Sequence, residues 1–302
     1  MSEGKKAKGS VGTAVAAGCV KAVALLPFPV LYAISDVLYY IVYYVARYRR
    51  KVARRNLVSS FPEKNIDDIK RIERKFYRFF VDMVLESAKL MTMSREEMKR
   101  HMVFVNPEAL TRFTDRGISV SAYLGHFGNW EWISSAALWA PESIEMAQIY
   151  HKLKSKAMDE VILHMRERMG QKCVEMRDTV RFMAHDSGRP RVIGFIADQS
   201  PKRHVAKYFI HFLNHEVPVL TGTEKATKHY GYQAVFIAVR RLRRGYYQAE
   251  FVPLADDPAS LPDFELTDRY FAHLETEIRE HPELYLWTHN RFKYAKTTDN
   301  GD

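Results

Sequence analysis

Two cysteines in 302 residues, Cys19 and Cys173, are too few for a disulfide framework or a cysteine-built zinc site. Domains facing the reducing cytoplasm fit this best. Neither an H-E-x-x-H motif nor a paired-histidine spacing occurs among the 12 histidines, so no metal or other cofactor is expected. A G-x-S-x-G elbow is also missing, which removes the usual seat of a serine nucleophile. There is no internal repeat and no low-complexity tract. Acid is in deficit: 36 Asp and Glu face 46 Lys and Arg, and the net charge of +10 calls for an anionic partner.

The position of that charge narrows the partner. The chain runs apolar from Val20 to Ala46 and then gives Arg47, Arg49, Arg50, Lys51, Arg54 and Arg55. Roughly 20 apolar residues cross a bilayer, but Pro27, Pro29 and Asp36 interrupt this run, so it reads as a kinked span or a helix half-sunk in the interface. Seven aromatics from Phe28 to Tyr48 suit the headgroup layer, and the basic cluster suits a cytoplasmic flank in contact with anionic lipid. A buried core helix followed by a solvated basic turn is the plainer alternative. Charge beside an apolar helix, and not among aromatics on a sheet face, argues against nucleic acid.

Hydrophobic content of 47% allows one large core. We expect residues 1–55 to form a loose N-terminus (loosest over 1–10), a membrane-associated apolar helix and its basic flank, and residues 56–302 to form one α/β domain. That domain opens on an amphipathic helix, with Ile66, Ile69, Ile72, Phe76, Phe79, Phe80 and Met83 at steps of three and four. Strand-like runs follow at 118–124, 145–150, 172–176, 191–197, 233–242 and 246–254, alternating with helical patterns at 130–140, 153–169, 178–187, 221–230 and 268–280. Such alternation predicts a mixed, largely parallel sheet flanked by helices, with 233–254 an antiparallel hairpin at one edge.

Sites in such sheets lie where strands end and helices begin, and AYLGHFGNWEW (122–132) is such a junction. Inside one helix, His126 and Glu131 would sit about 140° apart and could not cooperate. Gly125 and Gly128 bend the turn, Asn129 is a natural N-cap, and Glu131 falls in the first helical turn, where a carboxylate is favoured. Glu131 could then reach back to one ring nitrogen of His126, leaving the other as a general base. An ordinary turn histidine and first-turn acid would give the same spacing.

GHFGNWE resembles the His-x4-Glu motif of the bacterial lipid A biosynthesis lauroyl/myristoyl acyltransferases. RRKVARRNLVSSFPEK, ADQSP (197–201), VPVLTGTEKATKHYG (217–231) and HPELYLWTHNRFK (281–293) resemble further segments of that family, in its order. The resemblance implies a glycerolipid acyltransferase-like fold at the cytoplasmic face of the inner membrane, with acyl carrier protein as donor and a glucosamine-based lipid A precursor as acceptor. It implies His126 as base oriented by Glu131, and Arg166 and Arg168 as candidates to face the oxyanion, with backbone groups of the 125–129 turn. For substrate contact we expect Asn129, Asp198 and Gln199 where the strand 191–197 ends in the same cleft, Thr221 and Gly222 where a helix opens, and Arg291 and Lys293 after Trp287. Where relatives often carry Tyr-Arg and a proline, this chain has Tyr150-His151-Lys152. Another glycolipid or aminolipid acceptor fits the same residues, and a basic membrane-anchored binding module without catalysis is the reading from a different class.

Overall fold

The computed structural model describes residues 17–201 and 207–296, so the expected loose stretch 1–10 lies outside the described residues. Helix α1 covers 17–25, and after Pro27 the chain forms α2 (Phe28–Tyr40), which runs into a π-helical turn at Ile41–Val45. The basic run is not a solvated turn. It folds into α3 (Arg50–Ser60), a helix that crosses the expected boundary at 55/56 and packs on α4 (Ile66–Lys89) through Ala53 and Leu57. Asn65 caps α4 by accepting from the N–H groups of Asp67 and Asp68.

Two short helices, α5 (Arg95–His101) and α6 (Glu108–Thr114), flank strand β1 (Met102–Phe104). Then come β2 (Val120–Leu124), β3 (Glu145–Tyr150), α7 (Lys156–Glu167), β4 (Lys172–Glu175), α8 (Thr179–Ala184) and β5 (Arg191–Ile196). A two-stranded ribbon, β6 (Tyr208–Phe212) with β7 (His215–Val219), precedes α9 (Gly222–His229), β8 (Gln233–Arg243), β9 (Tyr246–Pro253) and α10 (Glu265–Glu280).

Seven strands form one sheet in the order β1-β9-β8-β2-β5-β3-β4, parallel throughout except for the β8–β9 hairpin. β2 is central and all five of its residues are buried, as expected of a parallel strand covered on both faces. One correction concerns the hairpin, which is not at the edge. β1 pairs with β9 outside it, a strand of three residues and too short to signal itself in sequence.

Candidate active site

In the parallel register of β2 and β5, Leu124 stands opposite Ile196. His126 and Asp198 each follow two residues later, so the sheet starts both side chains from the same level, about one strand spacing of 4.8 Å apart. The turn between them is close-packed. A Cβ on Gly125 would lie 2.5 Å from Leu274, and Gly128 has φ +60° with Val239 where a Cβ would go. The C-terminal segment then clamps the turn: the Gly128 N–H donates to Leu284 O (3.0 Å) and the Leu286 N–H to His126 O (3.1 Å).

His126 Nδ1 lies 2.6 Å from Asp198 Oδ1, and the His126 backbone N–H donates to Asp198 Oδ2 at 3.2 Å. This corrects the expected orienting acid: the imidazole is held by Asp198, not by Glu131. Burial of His126 acts to lower its pKa, but the Asp198 carboxylate beside it outweighs burial and the pKa is raised. Burial pushes Asp198 upward, whereas His126, and behind it the Arg291 guanidinium, pull it below its ordinary value, so the carboxylate stays ionised. With Nδ1–H donating to Asp198, Nε2 is an acceptor; it faces the exposed Gln199, whose amide nitrogen is 3.2 Å away. Trp130 stands edge-on to the ring at 5.3 Å between centroids.

Glu131 goes elsewhere. Both its oxygens accept from Arg166, at 2.8 Å from Nε and 2.6 Å from Nη2. A bidentate guanidinium pair is stronger than one bond to a neutral ring, which is why the side chain turns toward α7. Residues 132–139 are a 3-10 helix whose N-cap position falls on Glu131, not on the expected Asn129; the Asn129 side-chain oxygen accepts from the Trp132 N–H at 3.2 Å from the turn before it. The Glu131–Arg166 pair lines a narrow apolar cavity of about 40 Å³ between the sheet and the 3-10 helix, together with Ala122, Met146, Gly194 and Phe251.

Several expected contacts are corrected. Asn129 is fully buried and donates to Glu86 Oε2 at 2.9 Å, so it braces the turn and cannot meet a substrate. Arg168 donates to Leu90 O and Met93 O, tying the end of α7 to the chain after α4. Arg291 is 1% exposed and donates to Ser200 Oγ beneath the Asp198 loop, which makes it an interior counter-charge to Asp198. Lys293 is exposed with its ammonium over Tyr294. Thr221 and Gly222 do open α9, but Glu224 in that first turn already supplies a carboxylate, so the helix start is unsuited to a phosphate. Glu224 accepts from the N–H groups of Phe264 and Thr267 at the start of α10. Two backbone donors of the turn, on His126 and Gly128, are spent on Asp198 and Leu284.

Of the basic cluster, Arg47, Arg49, Lys51 and Arg55 are exposed, although Arg55 donates to Asn290. Arg50 and Arg54 point inward to the fully buried Glu73 and are structural.

Glu86 went unnoticed in the sequence. It is fully buried, accepts from Tyr32 OH (2.9 Å), Asn129 Nδ2 (2.9 Å) and Tyr247 OH (2.7 Å), and its backbone oxygen accepts from Trp132 Nε1 (3.0 Å). The one signal was an acid interrupting an apolar stretch of α4. Glu86→Gln keeps the shape but sets amide hydrogens against these donors. It is expected to lower the stability by about 1–3 kcal/mol in urea melts and to lower kcat roughly tenfold or more with KM little changed. Unchanged kcat in a destabilised variant would limit Glu86 to a packing role.

Fold and site together define an α/β protein with a histidine–carboxylate dyad at the carboxyl edge of a mostly parallel sheet. Comparison with family models matches residues 6–294 to the bacterial lipid A biosynthesis acyltransferases. The chain belongs to that family, and so is an acyltransferase of lipid A assembly. No curated protein matches it.

Proposed function

We propose that the protein moves a fatty acyl chain from acyl carrier protein to a hydroxyl of a lipid A precursor at the cytoplasmic face of the inner membrane. The observation that carries the mechanism is the short His126–Asp198 contact, which leaves Nε2 as the acceptor facing the open side. Gln199 swings aside and the acceptor hydroxyl donates to Nε2. As His126 takes that proton, the hydroxyl oxygen attacks the thioester carbonyl; the C–O bond forms, the C–S bond breaks, and the imidazolium returns the proton to the departing thiolate. Asp198 stabilises the imidazolium in between. Arg166, held by Glu131, offers positive charge to the oxyanion.

Acyl carrier proteins and phosphorylated lipids are both acidic, which fits a net charge of +10 with no nucleic-acid motif. The test is an assay of purified protein with a panel of acyl carrier proteins and lipid acceptors. Transfer to a lipid A precursor supports the reading; transfer only to another glycolipid or aminolipid moves the acceptor, and an unchanged lipid A acyl count in a deletion strain rejects it.

A further inference from the structure

The apolar stretch Phe28–Val45 is 18 residues with a mean hydropathy of 1.4, and only 22% of it is buried. At 1.5 Å per residue that is about 27 Å, close to the roughly 30 Å of a bilayer core, so length alone is compatible with a span. Its two faces are not. The inner face rests on α4 through Leu31, Ser35, Tyr39 and Tyr43, and charged or polar bonds attend it from end to end. Lys89 donates to Ala24 O and Leu26 O; Tyr32 OH donates to Glu86; Ser35 donates to Asp82 at 2.6 Å. Arg244 pairs with both Asp36 and Asp82, Arg78 lies over the Tyr39 ring at 4.7 Å, and Arg50 lies over Tyr43 while paired to Glu73. A spanning helix would either draw these ions into hydrocarbon or tear away from α4 and leave them unpaired.

The outer face carries Val30, Ile34, Val37, Ile41, Tyr44 and Tyr48 at steps of three and four, with Tyr40 and Val45 beside them, all between 37% and 76% exposed. Exposed lysine and arginine stand beyond both ends, Lys21 on one side and Arg47, Arg49 and Lys51 on the other. We propose that this helix lies in the plane of the membrane, its outer stripe sunk into the acyl–headgroup boundary of an anionic bilayer and its inner face still docked on α4. The inference rests on the membrane-enzyme reading above and deepens it: the catalytic domain is seated directly on the membrane surface, not tethered to a span.

The test uses the full chain with Cys19→Ala and Cys173→Ala, carrying a nitroxide label at Val30→Cys, Val37→Cys or Tyr44→Cys, bound to vesicles containing phosphatidylglycerol. An in-plane helix gives all three labels the same shallow depth, about 5–10 Å below the headgroups. A depth that peaks at position 37 and falls off toward 30 and 44 overturns the proposal, as does failure of the folded chain to bind. Combined Arg47→Glu, Arg49→Glu and Lys51→Glu is expected to weaken partition into these vesicles by roughly a hundredfold or more and to change binding to neutral phosphatidylcholine little; equal loss on both lipids also counts against it. No substrate is present in either measurement, so failure of the acyl-transfer reading leaves the depth profile standing.

Discussion

Asp198→Asn is expected to lower kcat by roughly 10²–10⁴, comparable to losing the general base itself, with the fold intact by circular dichroism. The asparagine can still occupy the space but offers an amide where the ring nitrogen needs an acceptor, so the imidazole is free to adopt the wrong tautomer. The pH profile gives a second, independent readout. His126 works as a base only when neutral, and Asp198 holds its pKa above the ordinary histidine value, so activity rises with pH through a limb displaced upward. Removing the carboxylate moves that limb of kcat/KM to lower pH. Burial of the ring, now unopposed by Asp198, pushes it the same way. A limb that stays in place in Asp198→Asn, or moves only in Glu131→Gln, would return the orienting role to Glu131.

His126→Ala should remove roughly 10²–10⁴ of the transfer rate and abolish the acid limb altogether, since among the described residues no other group is hydrogen-bonded to both Asp198 and the open side of the site. The residual rate reports what Arg166 and the bound geometry supply without a base. Single-turnover transfer from acyl carrier protein is the measurement, with the thermal midpoint as control. Full turnover by this variant would falsify the mechanism.

Much of the sheet was legible because strands buried on both faces read as apolar runs bounded by turns. The runs at 145–150, 172–176 and 191–197 coincide with β3, β4 and β5 to within a residue or so, and 233–254 is the β8–β9 hairpin. Several elements escaped, among them α5 and α6 with seven residues each. β1 is too short, β6–β7 carries Pro218 and charged residues, and α3 hides its inner Ala53, Asn56, Leu57 and Ser60 among arginines. The site was half legible. His126 stood out at its junction, and Asp198 and Gln199 were both placed in its cleft as substrate contacts, but local spacing suggested only Glu131 as its partner. Asp198 lies 72 residues away and meets the ring through the parallel register of two strands, information that no short motif contains. Asn129 and Arg291 were assigned to substrate because polar residues near a motif invite that assignment; their burial puts both in the supporting structure.

The clamp on the catalytic turn has a consequence for folding. Leu284 and Leu286 hold residues 126–128 from the far end of the chain, and the same end is fastened to the N-terminal side where Asn56 donates to Trp287 O and His289 O. Such distant pairings form late, because the loop they close must first be ordered. The geometry of the turn that carries His126 is therefore set only once the segment 284–289 has docked on it and on Asn56.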